Sequence, residues 1–240
     1  MKKIIIKNIF CKILIVSLLV IITNCSQYKH INNKKKIVTT NFFIKTKYLE
    51  ANNNLFKKNY TEAMLQFEQL DKLYPYSKYT EQIKVNLIYL YYLNKRFISA
   101  IDLFDEFIRI YPISKYTDYL LYIKSLSEIS LDNNKMQYLF RINRNDCNPF
   151  YANQAIYDLQ LLVKNYPNSI YIPFIKKRLK FLKKRLALYE LNVIQFYFNK
   201  EMYISVVKRC EMLIKNYPYT SESILALIIM EKTYKILNVI

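Results

Sequence analysis

Asp102, Asp105 and Glu106 lie within five positions of one another, and on a helix they share a face. Clustered carboxylates of this kind are what a metal site or an acid–base pair is built from. A solvated helix face uses the same residues, and nothing nearby completes a catalytic set. The single histidine, His30, sits in a polar stretch with no nucleophile or carboxylate beside it. No HExxH pair, no paired CxxC and no glycine-flanked serine is present. The chain contains no glycine at all, which excludes loops that bring backbone amides against a phosphate and with them P-loop and dinucleotide-binding sites. Of the four cysteines, Cys11 lies in the basic-apolar leader, Cys147 in a polar loop, and Cys210 at a position that otherwise holds bulky apolar residues. An oxidising compartment would permit a Cys147–Cys210 bridge, but the spacing does not demand one, and two free thiols are expected. These residues point away from catalysis: no catalytic residue and no metal ligand is assigned.

The elements that would position any site are announced by a spacing repeated four times. Ala63-Phe67-Leu70-Tyr74-Pro75 is followed by Ala100-Phe104-Phe107-Tyr111-Pro112, Ala155-Leu159-Leu162-Tyr166-Pro167 and Val206-Cys210-Leu213-Tyr217-Pro218. A small residue with bulky ones four and seven positions on places three side chains on one helical face. Proline then prevents continuation and biases the preceding tyrosine away from helical geometry. Tyr60, Phe97 and Tyr203 stand three residues before the small position in three copies. The pattern resembles the second helix of a tetratricopeptide repeat, a helix-turn-helix unit of about 34 residues. The fold expected is all-α, a tetratricopeptide superhelix of about five repeats with the last incomplete. Prolines 75 and 112 are 37 residues apart, close to a simple repeat, while the next intervals of 55 and 51 carry insertions. In the third repeat the extra residues fall between helices at about 115–131 and 149–166, giving an extended loop at 132–148. In the fourth, residues 172–198 read as one lengthened helix. A final helix, 221–237, is apolar on more than one face and has no partner helix after it.

The first 24 residues read as an export signal. Lys2, Lys3, Lys7 and Lys12 precede an apolar run, Ile13–Ile22, that is too short to span a bilayer, where about 20 residues are needed. Thr23-Asn24-Cys25-Ser26 then resembles a bacterial lipoprotein box, although Asn24 stands where Gly, Ala or Ser is usual. The resemblance makes Cys25 the lipid attachment site and first mature residue, the covalent lipid being the only non-protein group implied. Ser26 resembles the sorting signal of outer-membrane lipoproteins. Residues 25–40, rich in Asn and Lys, read as a flexible tether. Removal of the leader takes four lysines and no acids, leaving 33 basic against 18 acidic residues, a net +15. Lysine is spread over the whole chain, so this charge does not mark a nucleic-acid surface.

In tetratricopeptide arrays the first helices line the concave face. Counting from the small position of each first helix selects Tyr48, Asn52 and Leu55, then Val85, Tyr89 and Tyr92, then Tyr122 and Leu126 as groove-facing. Tyrosine offers broad apolar area with few rotors and one polar tip. Several stretches go further and resemble the BamD family, helical lipoproteins of the bacterial outer-membrane β-barrel assembly machine. Tyr74-Pro75-Tyr76, Tyr79 and Asn86 to Tyr92 are similar to its second repeat, and Arg144 with Pro149 to a loop of the third, with Asn143 and Asn148 in place of acids. Lys177-Arg178-Leu179, Leu186-Ala187 and Glu190 are similar to its long helix, and Val206-Val207-Lys208-Arg209 to its fourth repeat.

The resemblance implies a scaffold without enzymatic activity on the periplasmic face of the outer membrane. It implies a peptide groove in residues 41–112, for unfolded barrel proteins or accessory lipoproteins of the complex. Residues 113–240 would bind a BamA-like barrel partner through Arg209 and Arg144. A different periplasmic tetratricopeptide protein, serving envelope division or peptidoglycan upkeep, is the competing reading.

Overall fold

The computed structural model describes residues 41–133 and 147–238. Among these residues every regular element is an α-helix: α1 (41–56), α2 (Tyr60–Leu73), α3 (Thr80–Leu93), α4 (Phe97–Ile110), α5 (Thr117–Asp132), α6 (Phe150–Asn165), α7 (Ile172–Asn199), α8 (Tyr203–Asn216) and α9 (Ser221–Ile236). The leader, the tether with Cys25 and His30, and most of the expected loop with Arg144 lie outside the described residues.

The repeated spacing supplies the core of each second helix. Ala63, Ala100, Ala155 and Val206 are all fully buried, as are Phe67, Leu159 and Cys210 four positions on and Phe107, Leu162 and Leu213 seven positions on. A small residue at the first position lets the neighbouring helix approach, while each large one contributes roughly 1.5–3 kcal/mol by leaving water. The repeat tyrosine ends every such helix. Its φ is −135°, −124°, −130° and −132° in the four copies, and its N–H still reaches back to the carbonyl of the third buried residue. The tyrosine carbonyl then accepts from the amide of Ser77, Ser114, Ser169 or Thr220 at 3.0–3.2 Å. The hydroxyl of that same residue accepts from an amide at the start of the next helix, from Tyr79, Tyr116, Tyr171 or Ser223 at 3.2–3.4 Å. Tyr-Pro-x-Ser/Thr is therefore one structural word that stops one helix and shapes the turn into the next, and at Thr220 its side chain is itself the N-cap.

The opposite turns show what the absence of glycine costs. Lys58, Lys95 and Glu201 have φ of 63°, 60° and 56°, the left-handed position at which helices commonly end in glycine. Each is followed by a residue whose N–H reaches back across the whole turn: Asn59 to Asn54, Arg96 to Tyr91 and Met202 to Tyr197. A side chain with a Cβ is held there at a cost of about 1 kcal/mol.

The chain divides into two compact units between Ile83 and Lys84, inside α3, whereas the repeat spacing places a boundary after Pro112. The reason is packing. Val85 and Ile88 of α3 join the same buried cluster as Phe104 and Phe107 of α4, Leu120 of α5 and Leu159 of α6. In the first unit Ile44 and Ala51 of α1 and Ala63, Phe67 and Leu70 of α2 are buried. In the second, α7 is a single helix of 28 residues, about 42 Å long. Its first half belongs to the large cluster through Ile175 and Leu182. Its second half meets α8 and α9 in a smaller one, through Leu191, Ile194, Val206, Cys210 and Ala226. On α9, Ala226 and Thr233 are buried while Ile224, Leu225, Leu227 and Ile228 stay exposed, so one face remains apolar and open.

Candidate functional site

The expected groove positions fall into two sets, one in each unit. In the first, Tyr48 of α1 stacks on Tyr79 with ring centroids 4.7 Å apart and planes 18° from parallel, and meets Phe67 edge-on at 6.0 Å. Asn52, one turn further, is half-buried. Neither lines the cleft of about 270 Å³ that opens between α1 and α2, which is walled by Phe43, Leu65, Leu73 and Tyr74 with Lys47 and Glu62 at its polar side.

In the second unit the tyrosines form a row. Tyr89 of α3 lies 6.4 Å from Tyr119 of α5, Tyr119 lies 6.0 Å from Tyr171, and Tyr171 stacks on Tyr122 at 4.7 Å and 16°. Arg178 of α7 closes the row: its Nε donates to the Tyr122 hydroxyl at 3.3 Å and its guanidinium lies 5.8 Å from the centre of the same ring. Burial, aided by Tyr89 and Tyr171, holds the Tyr119 phenol far above its ordinary range, so it is a neutral hydrogen-bonding group. Burial with the charge of Asp118 raises Tyr171 too. Tyr89 is half-buried, and Tyr92 is half-buried against Phe97 at 5.9 Å. Tyr122 departs from expectation, being 9% exposed, because the ring of Tyr171 covers it. Val85 and Leu126, placed in the groove by the repeat spacing, are instead core residues.

Arg209 of α8 is held by contacts within its own chain. Its Nη1 donates to Glu190 Oε2 of α7 at 2.9 Å, and its guanidinium sits 5.5 Å from the centre of the Tyr197 ring. It keeps 36% of its side-chain surface exposed.

Two of the α4 carboxylates pair with lysines, while Asp102 is exposed. Glu106 receives Lys84 at 2.9 Å, and Asp105 lies 3.4 Å from Lys124 of α5. Lys124 leads to a buried group that sequence reasoning missed: its Nζ is 2.8 Å from Asp158 of α6 and 3.9 Å from Glu128, both with almost no exposed surface. Burial alone would lower the Lys124 ammonium, but the hydrogen bond and charge of Asp158, with Glu128 and Asp105, outweigh it and raise the value. Burial and the neighbouring charge of Asp158 push the Glu128 carboxyl up to about 8, and Glu128 hydrogen-bonds Asp158. Glu128 thus holds its proton to higher pH than an ordinary carboxyl, beside the Lys124–Asp158 ion pair. Arg185 of α7, also missed, is buried with Nη2 3.2 Å from the Cys147 carbonyl and 3.6 Å from Asp132. It ties both ends of the insertion after α5 to the long helix. Cys147 and Cys210 are free thiols, and burial with the charge of Glu211 pushes Cys210 up to about 11. Among the described residues no group of His, Cys, Asp and Glu is arranged to hold a metal ion, and no helix is long and apolar enough to cross a membrane.

The sequence of this chain has relatives. Residues 44–240 match the YfiO family, described as an outer membrane lipoprotein. The chain is 34% identical over 188 residues to the outer membrane protein assembly factor BamD of Vibrio cholerae, covering 78% of each chain. It is 32% identical over 195 residues to that of Buchnera aphidicola from Acyrthosiphon pisum, covering 81% of this chain and 79% of the other. Against that of Pasteurella multocida it is 30% identical, over 80% of this chain and 74% of the relative. The chain belongs to the BamD (YfiO) family of outer membrane lipoproteins.

Proposed function

We propose that this protein is a non-catalytic scaffold of outer-membrane protein assembly. It is held at the periplasmic face of the outer membrane by lipid on Cys25. The observation that carries the reading is the family match across 44–240, which takes in both compact units. The relatives' printed role, outer membrane protein assembly factor, is the activity assigned to this chain. A surface of aromatic rings with few rotors suits the work, because unfolded barrel segments are extended, apolar on alternate residues and varied in sequence. Each unit supplies such a surface of its own, Tyr48 and Asn52 beside the apolar α1–α2 cleft in the first, and Tyr89 and Tyr92 with Tyr122 stacked behind its neighbours in the second. Accessory lipoproteins of the complex would compete for the same rings.

The BamA-like barrel partner is assigned to the α8 side. Arg209 is oriented by Glu190 and Tyr197, and a part-exposed guanidinium suits bidentate pairing with a partner carboxylate. The apolar face of α9 is assigned to the same partner, since a contiguous exposed apolar patch commonly marks an interaction site. Arg144, outside the described residues, belongs to this side by resemblance only.

The test is a pair of variants measured against the periplasmic region of the barrel partner. Arg209→Glu should weaken binding by about 2–5 kcal/mol. Glu190→Gln, which removes the internal partner but keeps the guanidinium, should bind at least as well as the parent. Equal losses in both variants would show that the pair maintains the fold of α8 and does not face a partner.

A further inference from the structure

We infer that the outer face of α1 lies on an anionic phospholipid surface, as a second membrane contact beside the lipid on Cys25. The helix is apolar on two sides. Ile44 and Ala51 are buried in the first unit, with Tyr48 and Leu55 half-buried beside them. Phe42, Leu49 and Phe56 recur at seven-residue intervals on the other side and are 71%, 54% and 83% exposed. At about 100° per residue these three fall within about 40° of one another and roughly 130° away from the buried set. They make a straight ridge about 21 Å long. Two phenyl rings and a leucine aligned in water along one helix mark a contact.

The surroundings of the ridge select its occupant. Lys45, Lys57 and Lys58 are exposed, and the one acid of α1, Glu50, is held by Lys47 at 2.8 Å. From Cys25 to Lys58 the sequence has eight lysines and that single acid. Phenyl rings and leucine among lysines suit a helix lying in the headgroup layer, with the apolar side chains at the acyl boundary and the ammonium groups near the phosphates. Thr46, beside the ridge, turns its hydroxyl to the Phe42 carbonyl at 3.0 Å, so that polar group needs no water. A second copy of the chain would set lysine against lysine around the same ridge. Position agrees with lipid as well. Only residues 25–40 separate Cys25 from α1, and they reach at most about 55 Å whatever their conformation. That proximity rests on lipid attachment at Cys25; the ridge and its charge do not. Phe43 and Lys47 line the α1–α2 cleft from another side of the helix, so a bilayer under the ridge leaves the cleft open.

The test uses residues 25–240 with Cys25→Ser, so that no covalent lipid contributes and the outcome is independent of whether Cys25 is modified in the cell. Flotation with phosphatidylglycerol-containing vesicles at low salt should carry the protein, and pure phosphatidylcholine vesicles should carry much less. Adding Phe42→Ser, Leu49→Ser and Phe56→Ser should weaken binding at least tenfold with helical circular dichroism unchanged, since all three side chains are exposed. Should that variant fold poorly, a gentler one decides. The chain has no tryptophan, so Phe56→Trp supplies a single reporter on the ridge. Its emission should shift to the blue on addition of the anionic vesicles and be quenched by brominated acyl chains. Absence of binding, or binding undiminished by the serine substitutions, overturns the inference, the latter because the lysines alone would then hold the surface. An unshifted tryptophan overturns it too. So does a dimer in sedimentation that the serine substitutions dissolve while vesicle binding stays the same, because the ridge would then face a second copy.

Discussion

Replacing Glu128 by Gln should remove most of the pH dependence of this protein's stability between pH 5 and pH 8.5. An ordinary carboxyl in the unfolded chain loses its proton near pH 4.5, but Glu128 in the folded protein keeps its own to about pH 8. Its folded-state value is raised, so its contribution to stability is fully present below pH 4.5 and is lost as pH rises through 8. Each pH unit in that window costs about 1.4 kcal/mol, and the whole window about 5 kcal/mol if the proton is retained throughout. The attraction of Lys124 opposes the shift, so a loss on the order of a few kcal/mol is expected in the parent protein. Gln has the same shape, can donate to Asp158 and carries no titrating proton. Urea unfolding followed by helical circular dichroism, at half-unit steps of pH and with thiols kept reduced, reads the difference. The parent's midpoint should fall steadily with pH while that of Glu128→Gln stays nearly flat, the curves separating most at pH 8 and above. Parallel curves would refute the reasoning, showing that Glu128 is already ionised at neutral pH and that its burial is relieved in another way.

Lys95→Gly and Glu201→Gly should each stabilise the protein by about 0.5–1 kcal/mol, since both residues occupy left-handed positions that cost a Cβ-bearing residue about that much. Thermal melts of the two single variants and the double variant check this, and a lowered midpoint would show that the flexibility gained by the unfolded chain outweighs the strain removed. The mature N-terminus should be a lipid-modified Cys25; intact-mass analysis of membrane-purified protein that starts elsewhere, or finds the cysteine unmodified, would contradict the anchor.

The second helices were the most legible part of the chain, because their signal is periodic. Three buried positions, a tyrosine and a proline recur with fixed spacing, and all four copies fold as one word. The length of α7 and the uncovered face of α9 were legible for the same reason. The first helices were harder. They contact a neighbour on both sides, so Val85, Tyr122 and Leu126 sit in the core although the consensus places them in a groove. Tyr171 was missed because it precedes its helix and obeys no helical period, yet it occupies the same place after Tyr-Pro as Tyr79 and Tyr116. The Lys124–Asp158–Glu128 group joins residues of two helices separated by the insertion, which no local pattern encodes. Arginine carried an unused signal. In a chain dominated by lysine, Arg178, Arg185 and Arg209 each make an internal contact that a planar guanidinium suits, while the lysines between the first two remain exposed.

The central claim is that this protein works by assembling with a barrel partner. The most direct measurement is affinity purification of the full-length protein from detergent-solubilised outer membranes, with the co-eluting proteins quantified by mass spectrometry. The account predicts a BamA-like barrel protein in near-stoichiometric amount, lost in Arg209→Glu and retained in Glu190→Gln. Elution of the protein alone, or with proteins of envelope division or peptidoglycan upkeep and no barrel partner, would contradict it.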